Sequence, residues 1–209
     1  YVASNLNFFS KALARVGTPD SLIEFGPNIG MNLKAIKLLF PHIDLSAVEI
    51  NEDAAKILEE TISKESISQC SIFDFEPSKK AEVSLIKGVL IHINPDMLDV
   101  VYSKLYAASK RYILVCEYYN PAPVTINYRG HDDRLFKRDF AGELMEKYSD
   151  LELVDYGFCY KRDPAFPQDD VTWFLLERQV NHLIQKCLRL WKQDLNFGRR
   201  MRRLVMCNW

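Results

Sequence analysis

The sequence has 209 residues, of which 48% are hydrophobic and 26% are charged, and its formal net charge is -1. A chain of this size and composition can bury one sizeable core, so we expect a single domain with appendages rather than a disordered chain. No apolar run approaches the roughly 18 residues that span a bilayer, and the first residues lack the layout of a signal peptide. A soluble, cytoplasmic protein is therefore expected.

Five cysteines lie far apart in the sequence, without a C-x-x-C pair, at positions 70, 116, 159, 187 and 207. Three of them, Cys70, Cys116 and Cys159, fall within predicted strands. This pattern is typical of reduced, buried thiols rather than of disulfides or zinc ligands. We therefore expect no metal site.

The first predicted element is a helix over residues 5–16, in which apolar residues recur at helical spacing. Ser4 precedes it and is a residue type that caps helices. Gly17 and Pro19 then end the helix before the next strand. We expect this amphipathic helix to pack beside the mouth of a ligand site.

That site is predicted by the stretch SLIEFGPNIGMN, residues 21–32. A short apolar strand leads into Glu24, and a tight turn with Gly26, Asn28 and Gly30 follows before a helix begins. Glycine and asparagine tolerate the left-handed backbone conformation that such turns require, and glycine lets the backbone approach a ligand closely. The dinucleotide fingerprint is not matched, because its third glycine position holds Met31.

This turn resembles motif I, E/D-x-G-x-G-x-G, of the class I methyltransferases that depend on S-adenosylmethionine (SAM), with Asn28 in place of the middle glycine. The resemblance implies that SAM is the cofactor and that Glu24 organises the site near the methionine ammonium. It also implies that the turn of Gly26, Asn28 and Gly30 lies under the cofactor. An ordinary strand-to-helix turn without a ligand is the alternative.

A second strand, residues 44–50, reaches Glu49 about 20 residues after the glycine turn. Nucleotide sites in α/β folds place a carboxylate there to accept both ribose hydroxyls, so Glu49 is a candidate for cofactor binding. A solvated acid at a strand end is the alternative. Asn51 then caps a helix that runs to about residue 63.

A third strand is predicted over residues 68–73, with Asp74 at its end. The resemblance to the methyltransferases implies that Phe73 and Asp74 border the adenine. Core packing is the alternative role for Phe73.

The fourth predicted strand, residues 82–93, turns at Lys87 and Gly88 and continues into the pocket, so these two residues are assigned to the cofactor. His92 lies beyond the turn and is a candidate general base, because an imidazole can take a hydroxyl proton near neutral pH. A packed histidine bonded to backbone is the alternative.

Asn94 and Pro95 then begin a helix that runs to about residue 108, and a fifth strand ends at Glu117. Glu117 and His131 are the further catalytic candidates. Strand and helix have by then alternated five times. The pattern predicts a doubly wound α/β fold with a mostly parallel sheet and a ligand at the carboxyl ends of the strands.

Residues 118–139 are predicted to form a long polar and aromatic loop. Such loops inside a compact domain are usually functional. Its phenols and guanidinium groups suit a polar, anionic substrate, and the substrate-binding candidates are Tyr118, Tyr119, Asn120, Tyr128, Arg129 and Arg134. A solvated loop without a specific role is the alternative to a substrate lid.

A helix over residues 140–148 and two strands, 151–160 and 171–178, complete the prediction of a seven-stranded sheet with an antiparallel C-terminal strand pair. Over residues 5–178 the chain resembles the pseudaminic acid biosynthesis-associated methylases. The resemblance lies in the segments IEFGPNIGMNL, KGVLIHINPDML, EYYNPAPVTINYRGHDDRLFKRDFAGELM and TWFLLER.

Residues 179–209 follow this methyltransferase domain, 1–178, and have an amphipathic pattern with a basic end, RRMRR. This tail is predicted to be a helix that packs on the domain or on a sister subunit. Contact with RNA or with a membrane surface is the alternative.

These observations predict SAM-dependent methyl transfer to a small polar acceptor, a sugar or a sugar nucleotide. The sequence leaves open whether oxygen or nitrogen is methylated. Two alternatives remain beside it. One is an RNA or peptide methyltransferase that uses the basic tail, and the other is a SAM-binding partner subunit without turnover.

Overall fold

Strands and helices alternate along the computed structural model, which describes residues 2–128 and 131–179, with side chains described outside 127–134. The helices within these ranges are α1 Val2–Ala12, α2 Met31–Leu39, α3 Glu52–Leu58, α4 Leu98–Ala108 and α5 Phe140–Lys147. The strands are β1 Ser21–Phe25, β2 Asp44–Val48, β3 Ile67–Ser68, β4 Ala81–Lys87, β5 Ser109–Glu117, β6 Val124–Tyr128, β7 His131–Lys137, β8 Leu151–Phe158 and β9 Thr172–Arg178.

Seven of these strands form one sheet in the order β3-β2-β1-β4-β5-β9-β8. The pairs from β3 to β5 are parallel, whereas β9 runs antiparallel to both β5 and β8. The predicted α/β fold, with its mostly parallel seven-stranded sheet and antiparallel C-terminal pair, is thereby confirmed. The strand order reverses between β1 and β4, and such a reversal opens a crevice at the carboxyl ends of the two strands.

Both faces of the central strands β1, β4 and β5 are buried, which explains why these strands read as nearly continuous apolar runs, whereas the edge strand β8 is largely exposed. In β5, Ile113 and Val115 pack on the face covered by α4 and α5, whereas Leu114 and Cys116 pack on the face covered by α1, α2 and α3. This alternation follows from the two-residue repeat of a strand. The sheet is therefore a rigid base for the residues at its carboxyl edge.

Helix starts follow the capping pattern of the sequence. The side chain of Asn51 accepts the N–H of Ala54 at 2.9 Å, and that of Asn94 accepts the N–H of Asp96 at 3.0 Å. The predicted start of α3 is thus confirmed, whereas Asn94 caps a 3-10 turn, Pro95–Met97, and α4 begins after it at Leu98. Helix α3 ends at Leu58, earlier than predicted. In the turn that follows, the N–H groups of Thr61 and Ile62 both donate to the Leu58 carbonyl.

The predicted start of the first helix was wrong. Helix α1 begins at Val2, so Ser4 and Asn5 lie inside it, and both are buried. The helix ends at Ala12 and not at residue 16. Two polar side chains on a buried helical face are unusual unless something polar lies opposite them.

The predicted third strand was also too long. Strand β3 holds only two residues, and 72–74 form a turn in which the N–H groups of Asp74 and Phe75 both donate to the Ser71 carbonyl. Phe75 is the buried aromatic residue after this turn, and its ring packs edge-on against Phe25 with centroids 5.5 Å apart. The apolar pair of residues 72 and 73 had suggested a longer strand.

The fourth strand stops at Lys87 and not at residue 93, because Gly88 turns the chain with φ of 70° and a short 3-10 helix, Leu90–His92, follows. The stretch 118–139 is not a structureless loop either, since β6 and β7 form a separate two-stranded antiparallel sheet. Of the cysteines expected in strands, Cys116 lies in β5, whereas Cys70 and Cys159 lie just beyond β3 and β8.

None of the helices in the described ranges combines the length and hydropathy that crossing a membrane requires. Residues 180–209, which carry nearly all of the predicted basic helix, lie outside the described residues. The predicted domain boundary after residue 178 and the role of the tail therefore stay predictions.

The turn before α2 offers a test of this packing. Gly30 has φ of 79°, and a Cβ on it would lie 2.5 Å from Cδ2 of Leu58, which is fully buried in α3. Gly17 has φ of 84° with nothing within 4 Å of such a Cβ. We expect Gly17→Ala to cost about 1 kcal/mol through its backbone, and Gly30→Ala about 1–3 kcal/mol more through the added clash.

Urea denaturation of both variants measures the two free energies of unfolding. Gly17→Ala is the matched control, because it changes the same backbone conformation without the contact. Equal losses in the two variants would show that Leu58 does not constrain the turn.

Candidate functional site

Three neighbouring strands end in charged residues at the carboxyl edge of the sheet. Glu24 lies near the end of β1, Lys87 ends β4 and Glu117 ends β5. The register pairs Glu24 with Leu85 and Lys87 with Cys116, so that Lys87 lies on the strand between the two acids. The reversal of strand order thus gathers residues that are 93 positions apart in the chain.

A cavity of about 700 Å³ opens above this edge. Its walls come from α1, the β1–α2 turn, the turn after β4, the end of β5, strand β7 and the loop between β8 and β9. They consist of Ser4, Asn5, Pro27, Asn28, Ile29, Met31, Asn32, Lys87, Gly88, Ile91, His92, Glu117, Tyr118, Leu135, Lys161, Pro167, Gln168, Asp169 and Val171. A cavity of this volume can hold a ligand of cofactor size.

The β1–α2 turn takes the backbone conformation that its sequence predicts. Gly26, Asn28 and Gly30 have positive φ values of 71°, 53° and 79°. A Cβ on Gly26 would lie 2.7 Å from Cγ2 of Val89, so the turn approaches the segment after β4 as closely as only glycine permits. The two turns that flank the strand reversal are therefore packed against each other.

Glu49 holds this turn in place from the end of β2. Its Oε2 accepts the N–H of Asn28 at 2.9 Å, and its Oε1 accepts the N–H of Asn51 at the same distance. The side chain is only 6% exposed. A carboxylate has about four acceptor positions, so each oxygen can still accept a further hydrogen bond.

Glu24 is fully buried beneath the turn. Its Oε1 accepts the side-chain N–H of Asn32 at 2.6 Å, and its Oε2 has no hydrogen-bond partner. Burial raises the pKa of Glu24 to about 7, against the opposing effects of the Asn32 hydrogen bond and the Lys87 charge. An unsatisfied buried oxygen is costly, which makes it a mark of a site that a ligand completes.

Glu117 is 2% exposed and forms part of the cavity wall. Its Oε1 accepts the N–H groups of Val89 and Leu90, both at 2.9 Å, and its Oε2 has no hydrogen-bond partner. Burial raises the pKa of Glu117 to about 7, although the backbone N–H groups and Lys87 act in the opposite direction. The carboxylate thereby fixes the turn that carries the cavity residues Ile91 and His92.

Lys87 supplies the positive charge that both acids sense. It is partly buried, and its Nζ lies 5.7 Å from the centroid of the Phe8 ring on α1. The positive charge of Lys87 acts to lower the pKa of both Glu24 and Glu117. The edge of the sheet therefore carries two acids against one cation.

The structure brings some of the predicted site residues together and leaves others apart. The cavity wall includes Asn28, Lys87, Gly88, His92, Glu117 and Tyr118. Among the residues with described side chains, it does not include Glu24, Gly26, Gly30, Glu49, Phe73, Asp74, Tyr119 and Asn120. The side chains of four further candidates, Tyr128, Arg129, His131 and Arg134, lie outside the described residues.

The residues absent from the wall have other contacts. Phe73 packs against the core, as its alternative role proposed, and Asp74 is exposed in the turn after β3. Tyr119 is 41% exposed and lies against Phe174, with ring centroids 5.7 Å apart. The side chain of Asn120 donates to the Ala122 carbonyl at 2.5 Å.

The sequence did not predict the wall that closes the cavity on the side of α1. Lys161, Pro167, Gln168 and Asp169 belong to the loop between β8 and β9, and the side chain of Gln168 donates to Oδ1 of Asn5 at 2.7 Å. The polar, proline-containing composition of that loop was the available signal. This contact also explains why α1 buries an asparagine.

Searches against known proteins reveal similarity at the level of structure. No protein-family model matches the sequence, and no curated protein matches it. A Burkholderia thailandensis 1,6-didemethyltoxoflavin-N1-methyltransferase, solved with bound 1,6-didemethyltoxoflavin and S-adenosylhomocysteine (SAH), matches with a TM-score of 0.68 and 13% identity. That match covers 85% of this chain and 79% of the other.

Two further structures give the same result. The magnesium protoporphyrin IX methyltransferase of Synechocystis, solved with SAM, has a TM-score of 0.60 and 11% identity over 85% of this chain and 79% of its own. A SAM-dependent methyltransferase of Clostridium acetobutylicum has a TM-score of 0.61 and 10% identity over 86% and 92%. The chain has the Rossmann-like methyltransferase fold.

The two buried acids predict an unusual dependence of stability on pH. Because the pKa of each is raised from 4.5 to about 7, the folded protein keeps protons that the unfolded chain has released. Their contribution to stability is therefore present below about pH 4.5 and is lost as the pH rises through 7. We expect Glu24→Gln, which can keep the Asn32 hydrogen bond, to reduce the loss between pH 5 and 7.5 by on the order of 1–3 kcal/mol.

Free energies of unfolding at the two pH values measure this loss. Glu60→Gln, a change at a largely exposed acid, is the control and should keep the wild-type difference. If Glu24→Gln shows the same difference between the two pH values as wild type, a raised pKa of Glu24 in the folded protein does not cause the loss of stability.

Proposed function

We propose that this protein binds SAM and transfers its methyl group to a small polar acceptor, a sugar or a sugar nucleotide. The observation that carries the proposal is the cavity at the strand reversal, bordered by the positive-φ turn and by Glu117, whose Oε2 has no hydrogen-bond partner. The fold supports it, since the solved methyltransferases that share it bind SAM or SAH in their crystals.

The residues around the cavity fit such a cofactor. Glu49 would accept the ribose hydroxyls with the acceptor positions that its two backbone hydrogen bonds leave. The turn of Gly26, Asn28 and Gly30 would lie under the cofactor, and Glu24 with its free oxygen would serve the methionine end. Bound SAM supplies a methyl group on a positively charged sulfur.

Further residues are proposed for the remaining parts of the ligand. Phe73 and Asp74, on the turn after β3, would border the adenine, and Lys87 and Gly88 would flank the methionine part. Tyr118, Tyr119, Asn120, Tyr128, Arg129 and Arg134 are proposed for the acceptor, and His92, Glu117 and His131 for proton transfer. His92 is exposed on the cavity wall, within reach of a ligand there.

The polar character of the cavity supports a small polar acceptor. Gln168, Asp169 and Lys161 add an amide and both signs of charge to the wall opposite the strand edge. Lys161 lies 3.4 Å from Asp170, so its charge is already partly balanced. The pseudaminic acid-associated methylases remain the proposed group, on the sequence segments that resemble them, and a cytoplasmic location belongs to the same proposal.

Calorimetry with SAH and its 2′-deoxy analogue tests the cofactor assignment. Wild-type protein should bind SAH and should bind the analogue at least about tenfold more weakly, because one hydrogen bond to a charged group is lost. Glu49→Ala should lose at least about tenfold in SAH affinity and should distinguish the two ligands by less than about twofold, since the two changes remove the same contact.

Glu52→Ala, a change at an exposed acid at the start of α3, serves as the control and should bind like wild type. Near-ultraviolet circular dichroism would verify that each variant is folded. Unchanged SAH affinity in folded Glu49→Ala would remove the basis of the cofactor assignment.

A further inference from the structure

Glu117 combines a fixed orientation with an unused acceptor. Two backbone N–H groups, from Val89 and Leu90, hold Oε1 at 2.9 Å each. The carboxylate therefore cannot rotate without losing both. Oε2 has no hydrogen-bond partner, although the side chain is 98% buried on a cavity wall. Oε2 thus lacks a donor, and less than 1 Å² of it is exposed, so a ligand N–H that binds it must displace the atoms that cover it.

The positive charge that acts on this carboxylate, that of Lys87, does not satisfy Oε2. Lys87 lowers the pKa of Glu117 through its charge, yet it makes no hydrogen bond to Oε2. A buried carboxylate without a full set of donors is costly, so a ligand with an N–H or a positive charge would stabilise it. The cavity is thereby suited to a hydrogen-bond donor at Glu117.

We propose that Glu117 binds the methyl-accepting group of the substrate through Oε2, and that this group is an amine nitrogen. The proposal rests on the proposed function and names the acceptor that it leaves open. A neutral amine N–H donates to Oε2, which directs the nitrogen lone pair away from the carboxylate and toward the methyl group. Orientation of this kind is the main requirement for methylation of an amine.

The step balances in atoms and charge. The nitrogen lone pair forms a bond to the methyl carbon, while the carbon–sulfur bond breaks and its electron pair stays on sulfur. The nitrogen then carries one proton too many, and Oε2 of Glu117 takes it. The products are the methylated amine, neutral SAH and a protonated Glu117.

The buried carboxylate favours nitrogen over oxygen as the acceptor. Positive charge develops on an amine nitrogen during attack, and a fixed anion in a site of low dielectric stabilises it without reorganisation. A hydroxyl must lose its proton during attack, and a carboxyl group is a weak base for that task. The pKa of Glu117, about 7, is compatible with an ionised carboxylate in a neutral solution and with a proton held after transfer.

Sinefungin provides a probe for this arrangement. In this analogue of SAH a carbon that bears an amine takes the place of sulfur, so a positive N–H donor stands where the transferred methyl group would be. Wild-type protein should bind sinefungin at least about tenfold more tightly than SAH, because its positive amine, next to the position of the acceptor nitrogen, is attracted by the charge of the Glu117 carboxylate.

Glu117→Gln is the informative variant, because its amide oxygen can still accept the N–H groups of Val89 and Leu90 while an NH₂ group replaces Oε2. The preference for sinefungin should fall below about threefold, with SAH affinity within about threefold of wild type. Glu60→Gln is the control on an exposed surface and should keep the wild-type preference.

Calorimetric titration of both ligands into each protein separates the outcomes. If wild type binds both ligands equally, or if Glu117→Gln keeps the preference, the role of Glu117 is overturned and the proposed function stands. If wild type binds neither ligand, the proposed function fails and this inference falls with it. The wild-type comparison decides the matter even where the variant does not fold.

Discussion

The site depends on one topological constraint, the reversal of strand order between β1 and β4. In a parallel sheet, the helices that follow two neighbouring strands normally lie on the same face of the sheet. At a reversal of strand order the two helices lie on opposite faces, so a crevice stays open between them at the carboxyl edge. Here α2 packs on one face and α4 on the other. The residues that end these strands therefore face the crevice, whatever their distance in the sequence.

The carboxyl edge of the sheet carries acids whose burial is costly, and of Glu24, Glu49 and Glu117 it is Glu117 that forms part of the cavity wall. Desolvation opposes ionisation of Glu24 and of Glu117, and each keeps an oxygen without a partner. Glu49, by contrast, has a backbone N–H on each of its oxygens and completes the turn. Glu49 and Glu117 thus both hold a backbone turn, whereas Glu24 and Glu117 each keep one oxygen without a hydrogen bond, and incomplete bonding is typical of sites that a ligand fills.

Much of the fold could be predicted because local signals and packing agree along most of the chain. The apolar runs of β1, β4 and β5, the caps Asn51 and Asn94 and the glycine turn each carry their own physical signal. The failures occur where tertiary contacts decide. Strand β3 ends after two residues because Phe75, and not the apolar pair before it, meets Phe25. The sequence of hairpin β6–β7 is largely polar, which is typical of a loop, and its strands are defined by their pairing with each other.

The residues of the candidate site likewise include some that the sequence could predict and some that it could not. Residues at strand ends and in the glycine turn could be named because their place in an α/β fold follows from strand order alone. The wall formed by α1 and the β8–β9 loop could not, since Asn5 and Gln168 are 163 residues apart and nothing in either segment specifies the other.

The antiparallel end of the sheet explains that wall. Strand β9 pairs with β5, and β8 lies outside it, so the loop that joins them returns to the carboxyl edge where β5 ends. A parallel connection would instead have carried the chain to the opposite edge of the sheet. Val171, just before β9, and Gln168 thereby reach the cavity, and Gln168 bonds to the asparagine of α1. The antiparallel strand pair at the end of the sheet thus also supplies the loop that forms this wall of the cavity.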